Sequence, residues 1–253
     1  MIAPTTIALL GLAAGTAGLI DSIAGGGGLI TVPALLAAGL PPVNALATNK
    51  LQSVFSQITS CWGYARRGLV DFRGYWPTAL AIFVAAAIGA FTVQHIAADA
   101  LKRIIPLLVI GAMLYMILSP RMTDHESEAR IGKAGYAPLA AAIGFYDGFF
   151  GPGTGSFFTT SLVGLRGMGL IRAAAHTKLF NFASNFGSLL MFLLAGQSVW
   201  LVGFVMAVCA MAGAWIGAHV AMRHGARVIR PLLILASLAL TAKLIWDGFF
   251  AGR

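Results

Sequence analysis

The sequence predicts an all-α integral membrane protein built from two inverted repeats, each a glycine-broken re-entrant helical hairpin plus three transmembrane helices. Three observations carry this expectation: an apolar composition nearly empty of charge, apolar runs of membrane-spanning length, and an internal repeat. Of 253 residues, 58% are hydrophobic and only 10% are charged, with a mean hydropathy of +0.85. Soluble domains carry about a quarter charged residues, so this composition points to a lipid environment. The net charge of +9 comes from basic residues scattered between apolar segments. Such scatter sets membrane topology and makes no nucleic-acid patch, so no nucleic-acid partner is expected. The two cysteines, Cys61 and Cys209, lie in separate apolar stretches with no paired spacing. That pattern argues against a disulfide framework or a metal cluster, and no cofactor is expected.

Taken in order, the first apolar stretch lacks a basic leader and runs into Asp21 and a glycine cluster, so it is expected to be mature structure. A span needs about 20 apolar residues at 1.5 Å rise each. Runs near 44–66, 75–94, 101–118, 174–195, 200–221 and 231–250 supply six. Two other stretches, 5–38 and 137–165, each hold a shorter apolar run, an acidic residue, a glycine-rich break and a second short run. They read as hairpins or broken helices.

The repeat aligns Gly18-Leu19-Ile20-Asp21 and Gly25 to Gly28 with Gly144-Phe145-Tyr146-Asp147 and Gly151 to Thr154. Further on, Thr48-Asn49-Lys50-Leu51 aligns with His176-Thr177-Lys178-Leu179, Gly89-Ala90 with Gly217-Ala218, and Pro106-Leu107-Leu108 with Pro231-Leu232-Leu233. The offset stays between 125 and 128. The expected organisation is therefore a first membrane repeat at 1–120, a cytoplasmic linker at 121–136 and a second repeat at 137–253. If each glycine-rich hairpin leaves on the side it entered, every half has three spans and the second half is inverted. Arg66, Arg67, Arg73, Arg121, Arg130, Lys133, Arg166, Arg172, Arg223, Arg227 and Arg230 then face the cytoplasm, leaving Lys102, Arg103 and Arg253 outside. That distribution obeys the rule that cytoplasmic loops are enriched in Lys and Arg.

Inverted repeats with discontinuous helices place unwound backbone and half-helix ends at the membrane midplane, where a substrate is held. Gly25, Gly26, Gly27 and Gly28, with Gly151 and Gly153, are the expected substrate cradle; tight helix packing is the alternative use of small residues in lipid. Lys50 and Lys178 occupy matching positions in apolar spans, where an unpaired charge costs about 3 kcal/mol on insertion scales. On the same faces follow Ser53 and Gln57 in one half and Asn181 and Asn185 in the other, flanked by Asn49 and Thr177. Two such faces meeting centrally would offer two ammonium groups to a compact, oxygen-rich anion. Alternatively each lysine pairs with the acid of its own half, Lys50 with Asp21 and Lys178 with Asp147. The two acids are candidates for carrying a coupling proton or for capping the helix after each break. His176 is a candidate proton relay or a packing residue. Lys243 is read as snorkelling to the interface.

The residues carrying the repeat, Ile-Asp-Ser-Ile-Ala-Gly-Gly-Gly-Gly from Ile20, Asn-Ala-Leu-Ala-Thr-Asn-Lys-Leu from Asn44 and Gly-Phe-Tyr-Asp-Gly-Phe-Phe-Gly-Pro-Gly-Thr-Gly from Gly144, resemble the TauE/SafE sulfite exporter family, also called TSUP. The resemblance covers essentially the whole chain. It implies a multi-pass bacterial inner-membrane transporter, with export as the expected direction, moving sulfite, an organosulfonate or a related sulfur-containing or carboxylate anion. Pro152 and Thr154 depart from the all-glycine pattern of the first hairpin. An anion channel is the nearest alternative reading. A membrane-embedded enzyme is the more distant one, for no zinc-protease or nucleophile-elbow motif is present.

Overall fold

A computed structural model describes residues 2–118 and 124–224. Among these residues the only regular secondary structure is α-helix. The order is α1 (Pro4–Ala24), α2 (Gly28–Ala37), α3 (Pro42–Ala65), α4 (Phe72–Gln94), α5 (Ala98–Leu118), α6 (Lys133–Phe149), α7 (Thr154–Arg166), α8 (Leu170–Leu194) and α9 (Trp200–His224). The expected spans 44–66, 75–94, 101–118, 174–195 and 200–221 fall on α3, α4, α5, α8 and α9. The expected span 231–250, with Lys243, Arg227, Arg230 and Arg253, lies outside the described residues, as does Arg121.

Local chemistry sets the boundaries. α1 and α3 open with proline at the first helical positions, where its missing N–H has no intrahelical partner to lose. Asp71 caps α4 by accepting the N–H of Gly74 at 2.8 Å. α1 stops at Gly25, whose φ of +74° an L side chain rarely adopts, and α7 starts after Gly153 at φ +89°.

Two differences from the sequence reading concern the broken helices. By length and composition α1 is, among the described residues, one of three helices long and apolar enough to cross a membrane, with those at Phe72–Gln94 and Trp200–Met222. The first arm of the first hairpin is therefore longer than the short run expected. α3 and α8 fall outside that set despite 24 and 25 residues, because each dedicates one face to Asn, Ser, Thr and Lys, joined in α3 by Gln. In addition, α6 starts at Lys133, inside the stretch assigned to the 121–136 linker. Pro138, the sixth helical residue, gives up the hydrogen bond its N–H would have made to the Ala134 carbonyl without ending the helix.

Each broken pair folds back on itself. Leu35, Leu36, Ala38 and Leu40 from the end of α2 pack with Ile2, Ile7, Leu10 and Ala14 from the start of α1. At the second pair, the N–H groups of Arg130 and Ile131 donate to the carbonyl of Leu165 at 3.0 and 3.2 Å, and Arg166 reaches back to the carbonyl of Ile131. Packing between the halves is exchanged: α1 lies on α9, and α4 lies on α6. Small residues permit both approaches, since a Cβ at Gly217 would collide with the carbonyl of Leu19, and one at Gly89 with that of Phe145. α3 and α8 cross in the middle. Asn44, near the start of α3, donates to the carbonyl of Gln197, just past the end of α8, at 2.8 Å. Asp71, past the end of α3, meets Lys133 and His176 near the starts of α6 and α8.

Candidate functional site

The two helix breaks touch. A Cβ on Gly25 would lie 2.7 Å from the carbonyl carbon of Gly155, and one on Gly28 would lie 3.2 Å from the Cα of Pro152. Beside them the polar faces of α3 and α8 converge, and among the described residues the buried charges of Asp, Glu, Lys and Arg are four: Asp21, Lys50, Asp147 and Lys178. Both lysines are 1% exposed. Their pairing corrects the alternative in which each lysine pairs with its own half. Lys50 Nζ donates to Asp147 Oδ1 at 2.8 Å and to the Asp147 carbonyl at 2.5 Å. Lys178 Nζ donates to Asp21 Oδ2 at 3.1 Å and to the Asp21 carbonyl. The exchange follows from the fold: α3 runs beside the second break and α8 beside the first, so the nearest acid to each lysine comes from the other repeat. Two ammonium groups and two carboxylates leave the cluster neutral, and each charge has a partner in a medium that penalises unpaired ones.

The carboxylates are held further. Asp21 Oδ1 accepts the N–H of Gly27 at 3.0 Å, just ahead of α2, so this acid does cap the helix after the first break. Asp21 Oδ2 also accepts from Gln57 Nε2 at 2.7 Å. Asp147 accepts from Ser184 Oγ, and from Thr154 Oγ1 at 3.3 Å. Here side-chain hydroxyls replace the backbone donor, because Pro152 and Thr154 reshape the second break. Further out, Thr31 Oγ1 donates to Asn49 Oδ1 at 2.5 Å, while Thr159 and Thr177 share a hydrogen bond at 3.0 Å.

Between the breaks lies a cavity of about 30 Å³, lined by Asp21, Gly26, Gly28, Asn49, Ser53 and Gln57 from the first half and by Asp147, Gly151, Gly153, Thr154, Gly155, Asn181 and Asn185 from the second. Most of the anticipated residues are thus brought together. Lys50 and Lys178 stand behind the carboxylates they pair with and do not form the wall, and Gly25, Gly27 and Thr177 are also set back. Gly25 is needed for the contact with Gly155, so packing and cavity-lining divide the glycines between them. Sequence reasoning missed Thr31 and Thr159 as supports. They sit 128 residues apart, on the repeat offset, and extending the repeat into α2 and α7 would have found them.

His176 lies elsewhere. Its Nε2 accepts the N–H of Asp71 at 3.1 Å and its Nδ1 faces the Arg172 carbonyl at 2.8 Å. These partners require the neutral tautomer with the proton on Nδ1. Tyr75 packs edge-on with ring centroids 4.8 Å apart. The matching position in the first half is Thr48, whose Oγ1 accepts the N–H of Val199 at 3.1 Å. Both side chains tie the loop entering the next long helix.

Comparison with known proteins places the chain among membrane transporters. A family model described as "Sulfite exporter TauE/SafE" matches residues 9–244. The chain is 46% identical over 242 residues to "Probable membrane transporter protein ORF9" of Sinorhizobium sp, covering 95% of this chain and 93% of that one. It is 43% identical over 249 residues to "Probable membrane transporter protein YfcA" of Escherichia coli strain K12, covering 98% and 93%. A more distant match, 31% identical over 101 residues, is "Sulfite exporter TauE/SafE family protein 6" of Arabidopsis thaliana, covering 40% of this chain and 24% of that one. No solved structure matches. With its apolar helices and a family match across nearly its whole length, the chain is a multi-pass membrane protein and belongs to the TauE/SafE sulfite exporter family.

Proposed function

We propose that the protein is a secondary transporter that carries a small anion such as sulfite, an organosulfonate or a related carboxylate across the bacterial inner membrane. The cargo site is the cavity between the two helix breaks, and export is the direction the family description favours. The observation that carries this reading is the exchanged pairing of Lys50 with Asp147 and Lys178 with Asp21. A buried ion pair is costly to make and costly to break on one side, by about 3–5 kcal/mol. A structural role alone would be served as well by apolar residues. An anion entering the cavity competes with the carboxylates for the two ammonium groups. Because each pair links the two repeats, drawing a lysine onto cargo loosens a link between the halves, which couples occupancy to alternating access.

The repeats, in this reading, are inverted about an axis in the membrane plane, with 1–120 and 137–253 as the two units. Supporting this are the two fold-back hairpins and the antiparallel course of α3 and α8, whose opposite ends are tied at Asn44–Gln197 and Asp71–His176. In the second reading, an anion channel, the same lysines line a voltage-driven pathway.

The test is uptake of radiolabelled sulfite into proteoliposomes holding the purified protein, with and without a proton gradient and with taurine and acetate as competitors. Saturable flux above empty liposomes supports the carrier. Flux that rises linearly with concentration and follows voltage supports the channel, and no flux for any tested anion removes the anion reading.

A further inference from the structure

Two acceptors in the cavity wall have no partner among the described residues: the side-chain oxygens of Gln57 and Asn181, each residue 4% exposed. The orientation of Gln57 is fixed chemically. Its amide nitrogen faces Asp21 Oδ2 at 2.7 Å, and an ionised carboxylate only accepts, so the oxygen Oε1 must turn away from it. The two orphan oxygens come from different repeats, from α3 and α8, and flank the two carboxylates. The wall is therefore rich in acceptors. The two ammonium groups behind the carboxylates are already engaged by them.

Resting on the reading of this cavity as an anion site, we infer that the cargo is an oxyanion that also carries a hydrogen-bond donor, a protonated or hydroxylated monoanion, and that Gln57 selects it. A cavity of about 30 Å³ has room for roughly two water molecules, so cargo of four or more non-hydrogen atoms enters as the Lys–Asp links between the halves loosen and the cavity widens. Water supplies donors to Gln57 and Asn181 when no cargo is bound. Cargo that displaces this water must replace those donors or leave buried acceptors unsatisfied, which discriminates by about tenfold or more. A fully deprotonated dianion meets the lysines well but has nothing to give the amide oxygens, and it brings a second negative charge beside Asp21 and Asp147. An anion with one O–H satisfies both sets: its oxygens take the ammonium groups, and its hydroxyl donates to Gln57 Oε1 or Asn181 Oδ1.

Matched probes test this. Proteoliposome uptake of hydroxymethanesulfonate is compared with that of methanesulfonate, and glycolate with acetate, so that each pair differs by one hydroxyl. The expected result is that the wild type favours the hydroxylated member by about tenfold in both pairs. Gln57→Leu, which keeps bulk and removes the acceptor together with the amide bond to Asp21, is expected to shrink that preference to about twofold or less. Its thermal melting profile reports separately on folding, and the wild-type comparison needs no variant. Equal uptake of both members of each pair by the wild type overturns the donor requirement while leaving the anion carrier intact. An undiminished preference in Gln57→Leu overturns the assignment to Gln57. Failure of all four probes together with sulfite removes the anion site itself.

Discussion

Lys50 and Asp147 stand 97 residues apart in the chain, yet Nζ and Oδ1 are 2.8 Å apart in a fully buried setting. Lys178 and Asp21 repeat the relationship with the halves exchanged. The consequence for stability is specific. Lys50→Ala or Asp147→Asn leaves one charge without its partner and is expected to cost about 3–5 kcal/mol. The double variant Lys50→Ala with Asp147→Asn, which removes both charges, is expected to cost less than the sum of the two single changes. Thermal unfolding in detergent, arranged as a double-mutant cycle, measures the coupling; additive losses would deny that the two residues interact.

The hairpins place the starts of α1 and α6 at opposite membrane faces in the proposed topology. After replacement of Cys61 and Cys209 by serine, a single cysteine at Thr5 is expected to react with an impermeant maleimide added outside spheroplasts, and one at Glu128 only after permeabilisation. Labelling of both from the same side would contradict the inversion.

Packing through small residues gives a third expectation. Gly89→Val and Gly217→Val force a side chain into the backbone of the facing helix, and each is expected to destabilise by about 1–3 kcal/mol or more. Gly111, in α5, has open space where a methyl group would sit, with nothing within 4 Å, and Gly111→Ala is expected to be neutral or stabilising by up to about 1 kcal/mol. Melting temperatures of the three variants separate the two classes.

Outside the spanning helices, the Lys133 ammonium bonded to Asp71 holds its carboxyl below the ordinary value of 3.8, with the Gly74 N–H acting in the same sense. A lowered folded value means that the pair's contribution is present above 3.8 and is lost as pH falls through that lower value. Wild type is therefore expected to lose thermal stability more steeply than Asp71→Asn on acidification below about pH 4. Parallel melting curves across that range would show that the pair contributes nothing.

His176 carries the fifth expectation. Since both ring nitrogens serve backbone groups, His176→Thr, which installs the residue of the matching position in the first half, is expected to lower stability by about 1 kcal/mol and leave the pH profile of transport unchanged. A shifted profile would restore the proton-relay reading.

Much of this arrangement was legible in the sequence because the repeat offset and the polar stripes are both one-dimensional. Asp21, Asp147, Lys50 and Lys178 announce themselves as charges in apolar runs, and the spacing of Ser53, Gln57, Asn181 and Asn185 places them on their faces. Which lysine meets which acid was not legible. Pairing depends on α3 lying beside the second break and α8 beside the first, a matter of packing between halves that no spacing within one half encodes. The length of α1 was underestimated for a related reason: Asp21 and the glycines interrupt the apolar run, yet the helix continues to Ala24 with Asp21 inside it, paired by Lys178. The start of α6 was placed late because Lys133, a basic residue, reads as linker although the helix absorbs it at its first turn.

The central claim is that two lysines held by exchanged carboxylates form the anion site. Initial rates of radiolabelled sulfite uptake into proteoliposomes for wild type, Lys50→Ala and Lys178→Ala, with exposed Lys102→Ala as the control, test it most directly. A loss of about 30-fold or more is expected in each buried-lysine variant and no change in Lys102→Ala; wild-type rates in Lys50→Ala and Lys178→Ala, at matched folded protein, would contradict the lysine site.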